Sequence, residues 1–219
     1  MTDRLPIFPL DTVLFPGAFL PLHIFEPRYR LLVRRCVEHD QPFGVVLLKD
    51  GPAARAAAEP RTIGTAARIV AVNALPDGRS LIVVRGVSRF AIERPVRDAE
   101  PYAVAEVLVL PEPEGADAAS VARATAEAFA DYLVAAAAVA SPGAVEAVES
   151  PPEGLGPVEL SYHIAARLGL TKEDAQRLLE ADTAAVRLAS LAHILVREIE
   201  LMRELLVRMR AHHAGGALN

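Results

Sequence analysis

The side chains able to make or break bonds are few, and their spacing suits no familiar chemistry. Only two lysines occur, Lys49 and Lys172, and neither follows a glycine. A phosphate-binding P-loop needs Gly-Lys-Ser/Thr, because the lysine must reach the phosphates out of a glycine-rich cradle. The six histidines, His23, His39, His163, His193, His212 and His213, share no H-E-x-x-H or related metal-binding spacing. His23 falls in an apolar strand and reads as a core or edge residue, and His212 and His213 fall in a tail expected to fray. A Gly-x-Ser-x-Gly nucleophile elbow does not occur. The single cysteine, Cys36, excludes an internal disulfide and a cysteine-based zinc site, and its place on an apolar helix stripe predicts an inert thiol. The carboxylates are scattered, with no two standing out as an acid–base pair. These residues predict a protein that is not an enzyme, with no cofactor and no metal.

Binding is what remains, and the elements that would carry it can be read from composition and period. Apolar residues make up 52% of the 219 and charged residues 23%, which excludes a disordered chain. The longest charge-free runs, residues 12–25 and 132–145, are too short for a membrane span and are broken by Pro and Gly. The N-terminus, Met1-Thr2-Asp3-Arg4, lacks a secretory pattern, so a cytoplasmic protein with no membrane partner is expected. Residues 1–110 hold 14 Lys+Arg against 12 Asp+Glu, and residues 111–219 hold 9 against 16. Neither half has the basic excess of a nucleic-acid binder, so no nucleic-acid partner is expected.

Up to Leu110 short apolar runs alternate with Pro/Gly/Asp turns. Leu5 to Leu10 is extended, since Pro6 and Pro9 push their predecessors out of the helical region. A turn follows at Phe15-Pro16-Gly17. Phe19 to Phe25 reads as a strand, with Pro21 marking an edge or a strand start. Pro27 opens a helix, and Tyr29, Leu32, Val33, Cys36 and Val37 form its buried stripe. Arg28, Arg30, Arg34 and Arg35 lie off that stripe, as a solvated face or an anion-docking patch. Phe43 to Leu48 and Ile63 to Leu75 are strands. Pro76-Asp77-Gly78-Arg79 turns the latter into a hairpin with Leu81 to Val84. Gly86 suggests a bulge, and Phe90 to Ile92 and Tyr102 to Leu110 complete the set. This predicts a mostly antiparallel sheet or open barrel with one inserted helix.

After the breaker cluster Pro111-Glu112-Pro113-Glu114-Gly115 the chain turns helical. Ala118 to Val139 is one helix, and residues 141–157 form a Pro/Gly/Glu linker. Leu160, Ile164 and Leu168 mark a short helix stopped by Gly169. Thr171 caps the next helix, with Asp174 three residues on, and Asp182 caps the last. That final helix, residues 183–210, carries Leu188, Leu191, Leu195, Ile199, Met202, Leu206 and Met209 on one face, widened by Ile194, Leu201 and Leu205. Two domains are expected: a β-subdomain over 1–110 and a helical subdomain over 111–219.

Ordered motifs in the first half carry a family resemblance. They are Leu5-Pro6-Ile7-Phe8-Pro9-Leu10, Val13-Leu14-Phe15-Pro16-Gly17, and Leu20-Pro21-Leu22-His23-Ile24-Phe25-Glu26-Pro27-Arg28-Tyr29. Ile63-Gly64-Thr65-Ala66-Ala67, Leu75-Pro76-Asp77-Gly78-Arg79 and Gly86-Val87-Ser88-Arg89-Phe90 follow in the same order. Together they resemble the amino-terminal substrate-recognition domain of Lon proteases, in a compact stand-alone form. The resemblance implies an α+β fold, with a PUA-like β-subdomain followed by a helical bundle that ends in a long helix. It also implies capture of unfolded or tagged polypeptides on behalf of a protease or chaperone component, with the ATPase motor and the peptidase absent. Lys49-Asp50-Gly51-Pro52-Ala53-Ala54 looks like the catalytic-serine loop of the Ser–Lys peptidase, but Ala53 stands where the serine would be.

Two candidate surfaces follow. Phe15, Pro16, Gly17 and Phe19 could line an apolar groove beside an edge strand, where an extended peptide would find both apolar contact and backbone partners. The alternative is that both phenylalanines plug the end of the barrel. Leu195, Ile199, Met202, Leu206 and Met209 could instead dock a partner or a second copy of the chain, making an assembly or adaptor protein. RNA binding, by analogy with the PUA-like fold, is the third reading, and the charge balance opposes it.

Overall fold

The computed structural model describes residues 3–48, 61–96, 100–140, 152 and 154–216, with side chains through residue 209. The loop Lys49 to Ala54, residues 141–151 and 153 of the linker expected over 141–157, and the His212 and His213 side chains lie outside the described residues. The chain divides into two compact units, Met1–Glu112 with Ala165–Ala181, and Pro113–Ile164 with Asp182–Asn219.

The first unit is built on one six-stranded sheet. Its strands are β1 (Asp3–Leu10), β2 (Phe19–Ile24), β3 (Phe43–Leu47), β4 (Ile63–Ala74), β5 (Ser80–Val96) and β6 (Ala103–Val109), in the order β2-β5-β4-β3-β1-β6. All pairings are antiparallel except β1 with β3. Helix α1 (Pro27–Glu38) enters after β2, as the sequence predicts. Strand β5 pairs with β6 as well as β4, so β5, β4, β3, β1 and β6 close into a ring. Strand β2 hangs outside that ring, on the first half of β5. The two runs expected at Leu81–Val84 and Phe90–Ile92 are one continuous strand. The register shift between Ala66 and Ala67 lies opposite Gly86 to Ser88, where a bulge is expected from the glycine.

Two apolar clusters fill this unit. Phe90 is fully buried inside the ring with Ile7, Val46 and Val107. Glycines make room for it, since a Cβ on Gly44 would sit 2.6 Å from Phe90 Cζ and one on Gly64 would sit 3.0 Å away. The second cluster packs the Tyr29–Leu32–Val33–Cys36 stripe of α1 onto Phe8, Phe43, Ile82 and Val84.

Helix α4 (Lys172–Glu180) also belongs to this unit, whereas the sequence placed everything after residue 110 in the helical half. Arg89 of β5, only 3% exposed, explains the docking. Its Nη1 donates to the carbonyls of Leu179 and Ala181, each at 2.8 Å, and its Nη2 to that of Pro111 at 3.0 Å. Its Nε donates to Glu112 at 2.7 Å. Gln176 adds a bond from Nε2 to the Ile63 carbonyl at 3.1 Å. Thr171 caps α4 as expected, accepting from the Asp174 N–H at 3.1 Å.

The second unit holds α2 (Ala118–Ala140), α3 (Pro157–Ala165) and α5 (Ala184–Gly216). Helix α3 ends at Ala165, short of Leu168. The cap of α5 is Thr183 and not Asp182, because the Thr183 hydroxyl accepts from the Val186 N–H at 3.2 Å. Phe129 of α2 and Leu188, Leu191 and Leu195 of α5 are fully buried. Arg187 is buried with them, its Nε donating to Ser161 Oγ at 2.7 Å and its guanidinium lying 3.9 Å from the centre of the Tyr162 ring. Among the described residues no helix is long and apolar enough to cross a membrane.

Candidate functional site

The turn before β2 is pinned from inside the first unit. Thr65 Oγ1 donates to the Leu14 carbonyl at 2.5 Å. The Gly17 N–H donates to the Gly86 carbonyl, and the Gly86 N–H to the Ala18 carbonyl, both at 2.9 Å. Gly17 has φ of +80°, a region that glycine alone occupies at no steric cost. Gly86 has no room for a side chain, because a Cβ there would collide with the Phe15 carbonyl. Phe15 itself is turned inward and 4% exposed. Pro16 is half-buried and Gly17 exposed. Phe19 is 63% exposed. The four residues proposed from the sequence therefore split, with Phe15 in the core and Phe19 at the surface.

Register then fixes what β2 offers to solvent. Its residues pair with β5 without a shift, from Phe19 opposite Arg85 to Ile24 opposite Ser80. The Gly86 to Ala18 bond sets the alternation, so Leu20, Leu22 and Ile24 direct their backbone groups toward β5. Phe19, Pro21 and His23 direct theirs to the free edge. Proline has no N–H, so that edge presents carbonyls at 19, 21 and 23 but N–H groups only at 19 and 23. Pro21 sits where an edge strand tolerates it, on the side away from the ladder.

The same three residues send their side chains to the outer face, while Leu20 and Leu22 pack inward on the core. Beside them on β5 stand Leu81, Val83 and Arg85. Phe25 extends the row, its ring 5.7 Å from that of His23. Phe25 and Leu81 are also well exposed. The sequence reading missed Phe25, Leu81 and Arg85 as surface residues and left His23 as a core or edge residue, of which the structure shows the edge. The period-two spacing of 19, 21, 23 and 25 was the available signal. The other open edge of this lobe, β4 beyond Arg68, is interrupted by a register shift between Ile69 and Ala71 and is a poorer template.

The helix proposed for a partner also splits. Leu195 is fully buried and Ile199 nearly so, both within the second unit. Met202, Leu206 and Met209 are half-buried, and Leu201, Leu205 and Val207 are exposed.

Burial pushes the Cys36 thiol up to about 11, which disfavours the nucleophilic thiolate at neutral pH. Glu106 is held below the usual carboxylate range by its hydrogen bonds from Arg94, at 2.7 and 2.9 Å, and is a structural partner. Among the described residues no group of three His, Cys, Asp or Glu could hold a metal ion.

A family model described as the ATP-dependent protease La (LON) substrate-binding domain matches residues 4–197. A Lon protease of Cytophaga hutchinsonii is 28% identical over 210 residues, covering 90% of this chain and 24% of the relative. One from Roseiflexus castenholzii is 32% identical over 204 residues, covering 91% and 25%. The chain thus spans about a quarter of the length of these relatives. The crystal structure of a Lon N-terminal domain protein from Xanthomonas campestris superposes with a TM-score of 0.61 at 27% identity, covering 86% of this chain and 96% of that one. The N-terminal domain of a Mycobacterium avium complex Lon protease gives a TM-score of 0.65 at 19% identity, covering 90% and 98%, and shares the fold. The match of fold and sequence along most of its length places the chain in the family of Lon substrate-binding domains.

Proposed function

We propose that this protein captures extended apolar segments of unfolded or tagged polypeptides by adding them as a further strand on the free edge of β2, and breaks no bond itself. The observation that carries the reading is that edge. It is regular over six residues, unpaired on its outer side among the described residues, and flanked by exposed Phe19, Phe25 and Leu81. An unfolded chain offers unpaired backbone groups and alternating apolar side chains, and such an edge meets both. The family description, a substrate-binding domain, and the names of the relatives support polypeptide as the ligand and a protease as the setting. The test is fluorescence anisotropy with a labelled, reduced and carboxymethylated polypeptide. His23→Pro removes one of the two outward N–H groups and Phe19→Asp removes the exposed ring. Each is expected to weaken binding about 5-fold or more while leaving the far-UV spectrum and melting temperature near those of the parent. Unchanged affinity in both variants would place the ligand elsewhere.

A second reading has its own observation. The exposed Leu201 and Leu205 on the distal half of α5, with half-buried Met202, Leu206 and Met209 beside them, form an apolar strip fit for assembly with a partner or a second copy. Light scattering across a concentration series tests it. A monomer throughout would remove self-association.

A further inference from the structure

Beside the apolar row of β2, on the same face of the neighbouring β5, stands the cation Arg85, and its position follows from the strands around it. On the outer face Phe19 of β2 lies beside Arg85 of β5, and Arg85 lies beside Arg68 of β4. Two like charges directly opposite on adjacent strands repel. Arg68 is drawn away by Asp40, its Nη1 donating to the Asp40 carboxylate at 3.0 Å and to the Asp40 carbonyl at 3.1 Å. Arg85 has no carboxylate partner among the described residues. It leans the other way, over the Phe19 ring, with its guanidinium carbon 6.0 Å from the ring centre. That direction is toward the open edge, where the next strand would lie. The rows further along β2 hold no Asp, Glu, Lys or Arg, with Pro21 beside Val83 and His23 beside Leu81.

We infer that the edge selects acidic-ended segments, in which a carboxylate side chain sits opposite Phe19 and meets Arg85, and apolar side chains sit opposite Pro21 and His23. This rests on the reading of β2 as the polypeptide-binding edge and adds a direction and a sequence preference to it. In an antiparallel strand each bound residue faces one residue of β2, and the side chains of opposed residues share a face. Running from His23 to Phe19, the bound segment therefore reads apolar-x-apolar-x-Asp/Glu from its N- to its C-terminus. Lysine in place of the acid would face Arg85 with like charge.

The experiment uses labelled ten-residue peptides with Val-Thr-Val-Thr-Glu at the centre, the same peptide with Lys for Glu, and the reversed Glu-Thr-Val-Thr-Val. Each is titrated into the parent protein, Arg85→Glu and His23→Pro. The parent is expected to bind the Glu peptide about 3- to 10-fold more tightly than the Lys peptide, the span of an exposed attractive pair exchanged for a repulsive one. Arg85→Glu should invert that order, the reversed peptide should bind more weakly than the forward one, and 1 M salt should flatten the Glu/Lys difference. Equal binding of the Glu and Lys peptides by the parent would overturn the charge selection. If His23→Pro then still weakens both, the strand-addition reading stands without it. If no peptide binds the parent at all, the reading and the inference fall together.

Discussion

The two ends of β5 show how one strand can serve two purposes. Its second half, around Phe90, lies in the closed ring, paired on both sides by β4 and β6. Its first half, from Ser80 to Arg85, lies in the open lobe between β4 and β2. Both halves alternate side chains between two faces, as any strand must. In the ring no edge is left, and inward side chains meet only each other. In the lobe the last strand has a free side, and its outward row, Phe19, Pro21 and His23, remains in water. Among the described residues no further strand pairs with β2, so the lobe keeps one unpaired edge where the ring has none.

The largest expected contrast is between two phenylalanines. Phe90→Ala empties a fully buried site whose walls include the Gly44 and Gly64 backbone, and should cost about 3–5 kcal/mol in a denaturant titration. Phe19→Ala removes a ring that is 63% exposed and should change stability by less than about 1 kcal/mol. The order must reverse for peptide affinity, with Phe19→Ala the weaker binder. A stable Phe90→Ala protein, or a Phe19→Ala protein that melts far below the parent, would break the comparison.

Arg89 gives the next effect, and it belongs to the ring half of the strand. Arg89→Met deletes four hydrogen bonds and leaves the Glu112 carboxylate and the carbonyls of Pro111, Leu179 and Ala181 without that donor. Breaking a buried pair on one side costs about 3–5 kcal/mol, and this site belongs at the lower end because Glu112 keeps some access to water. Limited proteolysis should then cut within 165–181 sooner than in the parent. Peptide binding by the folded fraction should stay unchanged.

A pH titration probes the α1 cluster, which spans both halves, more gently. Burial raises the Cys36 thiol to about 11, and burial raises the Tyr29 and Tyr102 phenols as well. A group whose folded pKa is raised gives stability that is complete below its unfolded value and is lost as pH climbs through the folded one. For Cys36 that window opens near pH 9.0, the ordinary thiol value, and runs to about 11. The melting temperature should therefore fall between pH 9.0 and about 11, and Cys36→Ser should remove part of that fall. Alkylation of Cys36 at pH 8 should proceed far more slowly in the folded protein than in urea. Rapid alkylation would show that the α1 stripe does not pack on Phe8, Phe43, Ile82 and Val84.

Much of this was legible from residues alone. Strand and helix order, the hairpin at Pro76 to Arg79, the bulge at Gly86 and the helix inserted after β2 all follow from local signals of turn chemistry and period. The membership of α4 was not legible, because it depends on a buried arginine bonding to carbonyls some ninety positions away in sequence, at Leu179 and Ala181. The cap of α5 shifted by one residue because Asp182 and Thr183 are both good capping types and only geometry chooses between them. At the candidate site, the strand and the edge role of Pro21 could be read. The opposite fates of Phe15 and Phe19 could not, since they depend on the Gly86 backbone docking against the turn.

The smallest stability effect is expected at Pro21, and it bears directly on whether the lobe is open. Pro21→Val gives the free edge its missing N–H and a side chain with higher strand propensity, while freeing the unfolded chain from the proline ring. These effects oppose each other, so the melting temperature should move little, by the equivalent of about 1 kcal/mol or less. Association should move more. A third outward donor lets an added strand make one further hydrogen bond, worth about 0.5–1.5 kcal/mol, so peptides should bind about 2- to 10-fold more tightly. The same donor lets two β2 edges pair with each other, so the variant should also self-associate at lower concentration than the parent, as unblocked edges do. On the proposed function, proline would act as a filter, weakening pairing between copies while leaving the carbonyls at 19, 21 and 23 and the amides at 19 and 23 for a peptide. If Pro21→Val changed neither peptide affinity nor self-association, no strand would be adding at β2, and the contrast between closed ring and open lobe would lose its functional half.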